Sequence, residues 1–432
     1  MKKINVGLIG FGTVGGGVVK CLHENGELIG KRSGVQPIMA KIADLDITTD
    51  RGVPVEPGVL TTNVNDVLEN PDIDVVIELV GGTTIAKDFV LKALRNGKPV
   101  VTANKALLAY HGDEIFAVAK ASGADIYYEA SVAGGIPIIK ALREGLSANH
   151  IQSIYGILNG TCNYILTQME EKGRDFDDVL AEAQALGYAE AEPSLDIDGD
   201  DTAHKTTILA SLAYGEWFGM KPLSIEGIRG LDLRDVRYAA QAGYKLKLLG
   251  IVKLAGQDIE MRVHPTLIPE GSMLASVDDV FNAVFVKGDV VGDTMFYGRG
   301  AGRDATASAV VADLVDVGLN LVNESEQRVS AFRPHDSYDK VVPLSSSISR
   351  YYLRLEVLDE PKVLGTIAEI IGEAGISIAS VRQEEAAEGA TSLPIVLITH
   401  EAREASMRQA IDKLEALDVV CGKAITIRIE DI

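Results

Sequence analysis

Cysteine is scarce in this chain. Its 432 residues hold three, Cys21, Cys162 and Cys421, spaced far apart. They make neither a disulfide framework nor a zinc pattern, and such a chain suits a reducing cytoplasm. Positive charge is also in short supply: 41 Lys and Arg stand against 62 Asp and Glu, a net charge of −21. Nucleic acid and anionic membrane are therefore poor partners. No uninterrupted apolar run reaches the ~18 residues that a membrane span needs. The N-terminus, MKKINVGLIGFGTVGGG, has two lysines before an apolar stretch, but its glycine pattern argues against a signal peptide. What is present is ample apolar material, 47% of the chain, spread over a length that predicts two or three domains.

INVGLIGFGTVGGGVVKCL carries Gly10-x-Gly12-x-x-Gly15 between a β-rich run and a predicted helix. In that setting the motif predicts dinucleotide binding. Gly10 permits a tight turn, Gly12 lets the backbone approach a pyrophosphate, and Gly15 allows close packing of helix and strand. The loop Gly10, Phe11, Gly12, Thr13, Val14, Gly15 then aims helix N–H groups at phosphates. A second strand, PIMAKIADLD, ends at Asp44 and Asp46, where an acid could bind ribose. Position 45 is leucine rather than an arginine that would hold a 2′-phosphate, and Arg51 is a nearby substitute. The reading leans to NAD over NADP. DVVIELVGG and KPVVTANK are further apolar strands with the helical AKDFVLKALRNG between them, so a parallel sheet is expected. Ligands of such sheets lie beyond the carboxyl ends of the strands. Thr102, Asn104 and Lys105 sit at such an end, Lys105 being either a solvated lysine at a helix start or part of the crevice.

ADIYYEASVAGGIPIIKAL reads as strand, glycine turn and helix with Pro137 in its first turn. IQSIYGILNGTCNYIL reads as strand, turn, helix. EAEPSLDIDGDDTAHK, residues 190–205, is rich in carboxylates. It fails as an EF-hand, since glycine is missing from the sixth position and Thr207 occupies the twelfth. A turn at Asp198–Gly199–Asp200 leading into a helix that stops at Gly215 fits better. Asp201 and Lys205 then share a helix face. GRGAG, residues 298–302, is a glycine turn feeding another helix. Residues 331–349 read as a linker, and 350–432 follow βαββαβ order, a ferredoxin-like unit.

TANKALLA, YEASVAGGIPII, GILNGTCNYIL, LGYAEAEPSLDIDGDDTAHK and YGRGAGRDATASAVVADL together resemble the homoserine dehydrogenase family. The likeness spans roughly residues 1–330, and DEPKVLGTIAEII resembles an ACT domain. The resemblance implies an α/β protein. A Rossmann-type nucleotide domain would occupy 1–130, completed by about 300–330, with an α+β catalytic and dimerisation domain at 131–299 and an ACT regulatory domain at 350–432. It implies NAD(P)-dependent interconversion of L-homoserine and L-aspartate 4-semialdehyde, in a monofunctional protein forming a homodimer or homotetramer. Lys205 matches the family's acid/base, Asp201 and Lys105 its companions, and Glu190 a substrate anchor, with Asp196 at a further substrate position. Gly302 matches a glycine near the nicotinamide. The resemblance also implies a structural monovalent cation, usually sodium, at the carboxylate of Glu129 and the carbonyls of Val132, Gly134 and Ile136. Threonine is the effector implied for the ACT unit, although Lys362 stands where that unit commonly has glycine.

Two rival readings remain on residue chemistry. A phosphorylating semialdehyde dehydrogenase needs a thiolate, and Cys162 is the only cysteine inside a motif. A non-catalytic sensor of dinucleotide and amino acid would have no need of Lys105, Asp201 and Lys205 together.

Overall fold

The computed structural model describes residues 1–325, 328–336, 338, 340–384 and 391–432. Positions 337 and 339 of the expected linker, and Glu385 after the second ACT strand, lie outside the described residues. The chain divides into two compact units, and each is described by itself.

The first unit takes in 1–160, 201–223 and 281–338. Its N-terminal part alternates strand and helix: β1 (Lys2–Ile9), α1 (Thr13–Ser33), β2 (Val35–Ala43), β3 (Leu60–Thr61), α2 (Asn65–Leu68), β4 (Val75–Glu78), α3 (Ile85–Arg95), β5 (Val100–Thr102), α4 (Lys105–Ser122) and β6 (Ile126–Tyr127). The strands form one sheet in the order β3-β2-β1-β4-β5-β6, and every pairing is parallel. This is the doubly wound order with its switch point at β1 and β4. Val6, Leu8, Val75, Ile77 and Val101 bury their side chains in it. Strands covered on both faces read as continuous apolar runs. The helix Arg303–Val322 joins this core through Ala307, Val310, Leu314 and Val317, packed on α1 and β2. By length and composition it could cross a membrane, and half of its apolar window is buried within the protein. It is not an uninterrupted apolar run, because Asp304, Asp313 and Asp316 punctuate it.

The unit also holds an antiparallel group, in which Phe281–Gly288 pairs on one side with Ile151–Ile157 and on the other with Gly292–Arg299. The helix expected after Pro137 is a single α-turn, Ile138–Lys140, that runs on as a π-turn, Ala141–Gly145. The helix Asp200–Tyr214 ends as the sequence predicts: Gly215 adopts φ 71° and its N–H closes on the Ser211 carbonyl. Glycine takes that conformation without a Cβ clash.

The second unit takes in 161–200, 224–280 and 339–432. Its last 85 or so residues make the expected βαββαβ unit, from Ile348–Leu358 to Ile425–Ile429. Its strands lie in the order fourth, first, third, second, all antiparallel. The fourth strand does more than close this sheet. Its outer edge pairs in parallel with Asp258–Pro269, Arg428 opposite Thr266, so the C-terminal segment continues a sheet begun far upstream. Buried charges line the seam. Arg428 forks onto Glu226 and Glu404, Arg262 reaches Glu430, and Arg354 bonds Asp235.

Candidate active site

The crevice at the carboxyl ends of β1, β2 and β5 is built from three loops. The first is the glycine loop after β1. Gly10 has φ 98°, and a Cβ there would lie 2.6 Å from the Leu79 carbonyl. A Cβ on Gly15 would lie 2.2 Å from the Gly10 oxygen, so both positions demand glycine. Gly12, at the N-cap of α1, faces open space, and no side chain among the described residues caps that helix. The bare N–H groups and the gap beside them form a cradle that fits a pyrophosphate.

The second loop follows β2. Asp44 accepts the Phe11 and Asp46 N–H groups, so its carboxylate clamps the glycine loop from below. Asp46 accepts from Thr48 and Thr49 and pairs with Arg51 at 3.1 Å. These hydrogen bonds hold the Asp46 carboxyl well below the usual range. Leu45 is 94% exposed between them. Both acids are thus already engaged by their own loop.

The third loop is the turn after β5. Asn104 caps α4 by accepting the Leu107 N–H, and Lys105 is the first helical residue. The Lys105 ammonium lies 3.2 Å from Asp201 Oδ1. On the helix Asp200–Tyr214, Lys205 stands one turn after Asp201 and its Nζ reaches Asp201 Oδ2 at 2.7 Å. Lys205 also donates to the Leu158 carbonyl at 2.6 Å, and the Asn159 amide donates to Asp201 at 2.8 Å. Asp201 is 5% exposed and Lys205 8%. Burial alone would raise the Asp201 carboxyl. The Lys205 and Lys105 ammonium groups, with hydrogen bonds from Lys205 and Asn159, outweigh it and hold the group well below the ordinary carboxylate range. The result is one fixed carboxylate between two lysines, with one lysine a third exposed. Such a pair can present a positive charge and a proton to a developing alkoxide. His204, beside Lys205, packs edge-on against the Tyr110 ring at 5.4 Å.

A model of the homoserine dehydrogenase NAD-binding domain matches residues 10–129, a homoserine dehydrogenase model matches 137–315, and an ACT model matches 351–419. A homoserine dehydrogenase of Pseudomonas aeruginosa is 49% identical, with each chain wholly covered. One of Neisseria gonorrhoeae is 47% identical over the same span. This chain belongs to the homoserine dehydrogenase family. Among solved structures, a homoserine dehydrogenase from Thiobacillus denitrificans superposes with a TM-score of 0.94 at 49% identity, covering 100% of this chain and 99% of that one. A hyperthermophilic archaeal homoserine dehydrogenase in complex with NADPH superposes at 0.63 and 28% identity, covering 74% of this chain and 98% of that one.

The remaining family positions fall as follows. Glu190 is exposed and Asp196 half-buried in the second unit, the latter in the one-turn helix Ser194–Ile197. Asp198 pairs in a fork with Arg229, and Glu192 accepts the Ser194 N–H, so both serve their own turns. Cys162 is fully buried and donates its S–H to the Asp196 carbonyl. A thiol so placed is a poor nucleophile, which removes the physical basis for a thiolate mechanism. Gly302 caps the helix Arg303–Val322 at φ 113°. The Glu129 carboxylate accepts the Ile139 and Lys140 N–H groups at 2.8 Å each and so starts the short helix. In the intervening turn Ala133 and Gly134 are both left-handed, at φ 55° and 53°. The carbonyls of Val132 and Gly134 accept no backbone hydrogen bond among the described residues.

Two residues of this crevice were not singled out in the sequence. Asn159 sits in GILNGTC with nothing local to mark it. Glu78 did leave a signal: it is the lone charge inside the apolar run DVVIELVGG, and it is wholly buried.

Proposed function

We propose that this chain is a homoserine dehydrogenase whose Lys205 exchanges a proton with the substrate oxygen while Lys105 and Asp201 hold the field around it. The observation that carries the reading is the buried Asp201 carboxylate bracketed by both ammonium groups. Reduction of L-aspartate 4-semialdehyde turns its carbonyl into an alkoxide, which Lys205 protonates. In the oxidation of homoserine, Lys205 accepts the hydroxyl proton. The nicotinamide dinucleotide supplies or takes the hydride. Gly10 to Gly15 hold its pyrophosphate, with Thr102, Asn104 and Gly302 toward the nicotinamide. Glu190 and Asp196 are the carboxylates that the family resemblance assigns to the substrate. Lys105 and Lys205 balance the carboxylate's charge so that the site keeps a net positive field for the alkoxide.

The dinucleotide is NAD by preference. Arg51 is the base nearest the expected 2′-phosphate, but Asp46 already holds it, so a 2′-phosphate would have to displace that carboxylate. Initial rates with homoserine and each of NAD and NADP test the activity and the preference together. Activity with neither would refute the reading. Asp46→Ala frees Arg51 and is expected to lower KM for NADP relative to NAD by about 10-fold, one charge-assisted pair. An unchanged ratio refutes this role for Arg51.

Glu129 through its carboxylate, and Val132, Gly134 and Ile136 through their carbonyls, would hold a sodium ion, as hard oxygen donors suit such an ion. The Val132 and Gly134 carbonyls, which accept no backbone hydrogen bond among the described residues, and the left-handed backbone at Ala133 and Gly134 support this. Replacing sodium by choline should then lower the thermal midpoint. The protein works as a homo-oligomer in the cytoplasm, a compartment suited to its three free thiols. The C-terminal unit binds threonine as an inhibitor.

A further inference from the structure

Glu78 is the last residue of β4 and has no exposed surface. Its Oε1 accepts the N–H groups of Val80 at 2.8 Å and Gly81 at 3.3 Å. Its Oε2 accepts the Thr102 hydroxyl at 2.7 Å. The Thr102 oxygen in turn accepts the Asn104 N–H at 3.0 Å, and the Asn104 amide returns to the Gly82 carbonyl at 2.8 Å. These bonds close a ring. It ties the loop after β4 to the turn after β5, and Asn104 in that ring also caps α4. The next residue is Lys105. The same loop touches the glycine loop, since Gly10 packs on the Leu79–Val80 backbone.

Burying a carboxylate costs several kcal/mol unless hydrogen bonds offset it. Here the partners are hydroxyl and backbone dipoles, and burial still leaves the carboxyl raised above its ordinary range. Packing gives no reason for a charge at this place. An apolar residue would serve β4 better, as it does at Val75, Val76 and Ile77. What the carboxylate does, and an apolar side chain cannot, is accept from two loops at once.

We propose that Glu78 is a positioning residue for the reaction: its carboxylate locks the Leu79–Gly82 loop to the Thr102–Lys105 turn and thereby sets the Lys105 ammonium against Asp201. The proposal rests on the reading that Lys105 serves the chemistry. Small displacements of a reacting group cost large factors in rate.

Glu78→Gln keeps the size and puts a donor where the ring needs an acceptor. With both substrates saturating, kcat is expected to fall about 10-fold, with the thermal transition still cooperative. The deciding comparison is a cycle with Lys105→Ala. If Glu78 acts through Lys105, adding Glu78→Gln to Lys105→Ala changes kcat by less than about two-fold, because residues acting as one unit are non-additive. An equal fall in both backgrounds overturns the proposal, and so does an unchanged kcat in the single variant. Should Glu78→Gln fail to fold, Thr102→Val opens the ring from its other side and is read in the same cycle. Measuring its dinucleotide Kd separates any direct cofactor contact of Thr102 from the effect on Lys105. Lys105→Ala with wild-type kcat would instead sink the reading of Lys105, a failure visible before Glu78 is touched.

Discussion

At the scale of the residue, the informative groups are charges that the fold has taken out of water and then matched. Asp201 has two ammonium partners and an amide, and Lys205 sits between that carboxylate and the Leu158 carbonyl. Lys205→Ala removes the proton donor and one of the two charges that balance Asp201. We expect kcat to fall by about 10²-fold or more, the scale of general acid–base assistance, in a protein that still folds. Steady-state rates beside a circular-dichroism melt check this, and near wild-type turnover refutes the assignment. Glu190 is exposed. Glu190→Ala is therefore expected to raise KM for homoserine and leave kcat nearly intact, the signature of lost ground-state binding. An unmoved KM contradicts its role as anchor.

At the scale of the element, the helix Arg303–Val322 brings Asp313 under the turn that starts at Glu129. Asp313 accepts the Glu129 N–H at 2.8 Å and is 6% exposed. Burial lifts its carboxyl well above the ordinary range, and the charge of Glu129 adds to that. The sign follows from linkage. A carboxyl whose folded value is raised binds more protons in the native state, so stability falls as pH rises from the ordinary carboxylate value through the folded one. Asp313→Asn keeps an acceptor for the Glu129 N–H and cannot ionise. Relative to wild type the variant should gain stability as pH rises through that window, by at most about 1.4 kcal/mol per pH unit. Urea denaturation at a series of pH values measures this, and a difference that is flat with pH rules out an ionising Asp313. Elements also explain one misreading. The helix expected after Pro137 begins only once Glu129 supplies acceptors for the Ile139 and Lys140 N–H groups, and it widens into a π-turn within one turn. Both acceptors come from a residue about ten positions upstream, and no local pattern reveals that.

At the scale of the whole molecule, the C-terminal unit is woven into the protein more closely than a regulatory module on a linker. Ile425–Ile429 pairs with Asp258–Pro269 on one side and Ile348–Leu358 on the other. Removing residues 350–432 would strip the partner Glu430 from the buried Arg262, so a truncated protein reports on folding as much as on control. A point change is the cleaner probe. Glu226 forks onto Arg428, and the residue after it, Gly227, packs so closely that a Cβ there would lie 2.1 Å from the Ile197 carbonyl. That links the last strand to the segment carrying Asp196. Inhibition requires that threonine bind a less active arrangement more tightly. With a coupling of about 1–3 kcal/mol, Glu226→Gln is expected to weaken threonine inhibition at least about five-fold and to leave uninhibited kcat within about two-fold. A full-length protein indifferent to millimolar threonine would leave an assembly role for this unit.

Features that depend on local backbone geometry and side-chain period were legible along the chain. The glycine spacing at 10, 12 and 15 forced the phosphate loop. Alternating apolar runs and helices yielded the parallel sheet, and the βαββαβ order could be read from turn residues and periodicity. Gly215 stopped its helix through its own φ. Tertiary structure decided which partner each buried charge would find. The Asp44 carboxylate, at the expected strand end, accepts from Phe11 and Asp46. Glu129, in the expected turn, starts a helix. Glu78 finds Thr102, Asp201 finds Asn159, and Arg428 finds Glu226, 24, 42 and 202 positions away along the chain. The physical reason is that backbone conformation is set by neighbours within a few residues. The free energy of a desolvated charge is set by whatever the fold brings within about 3 Å of it, and that distance has no counterpart along the sequence.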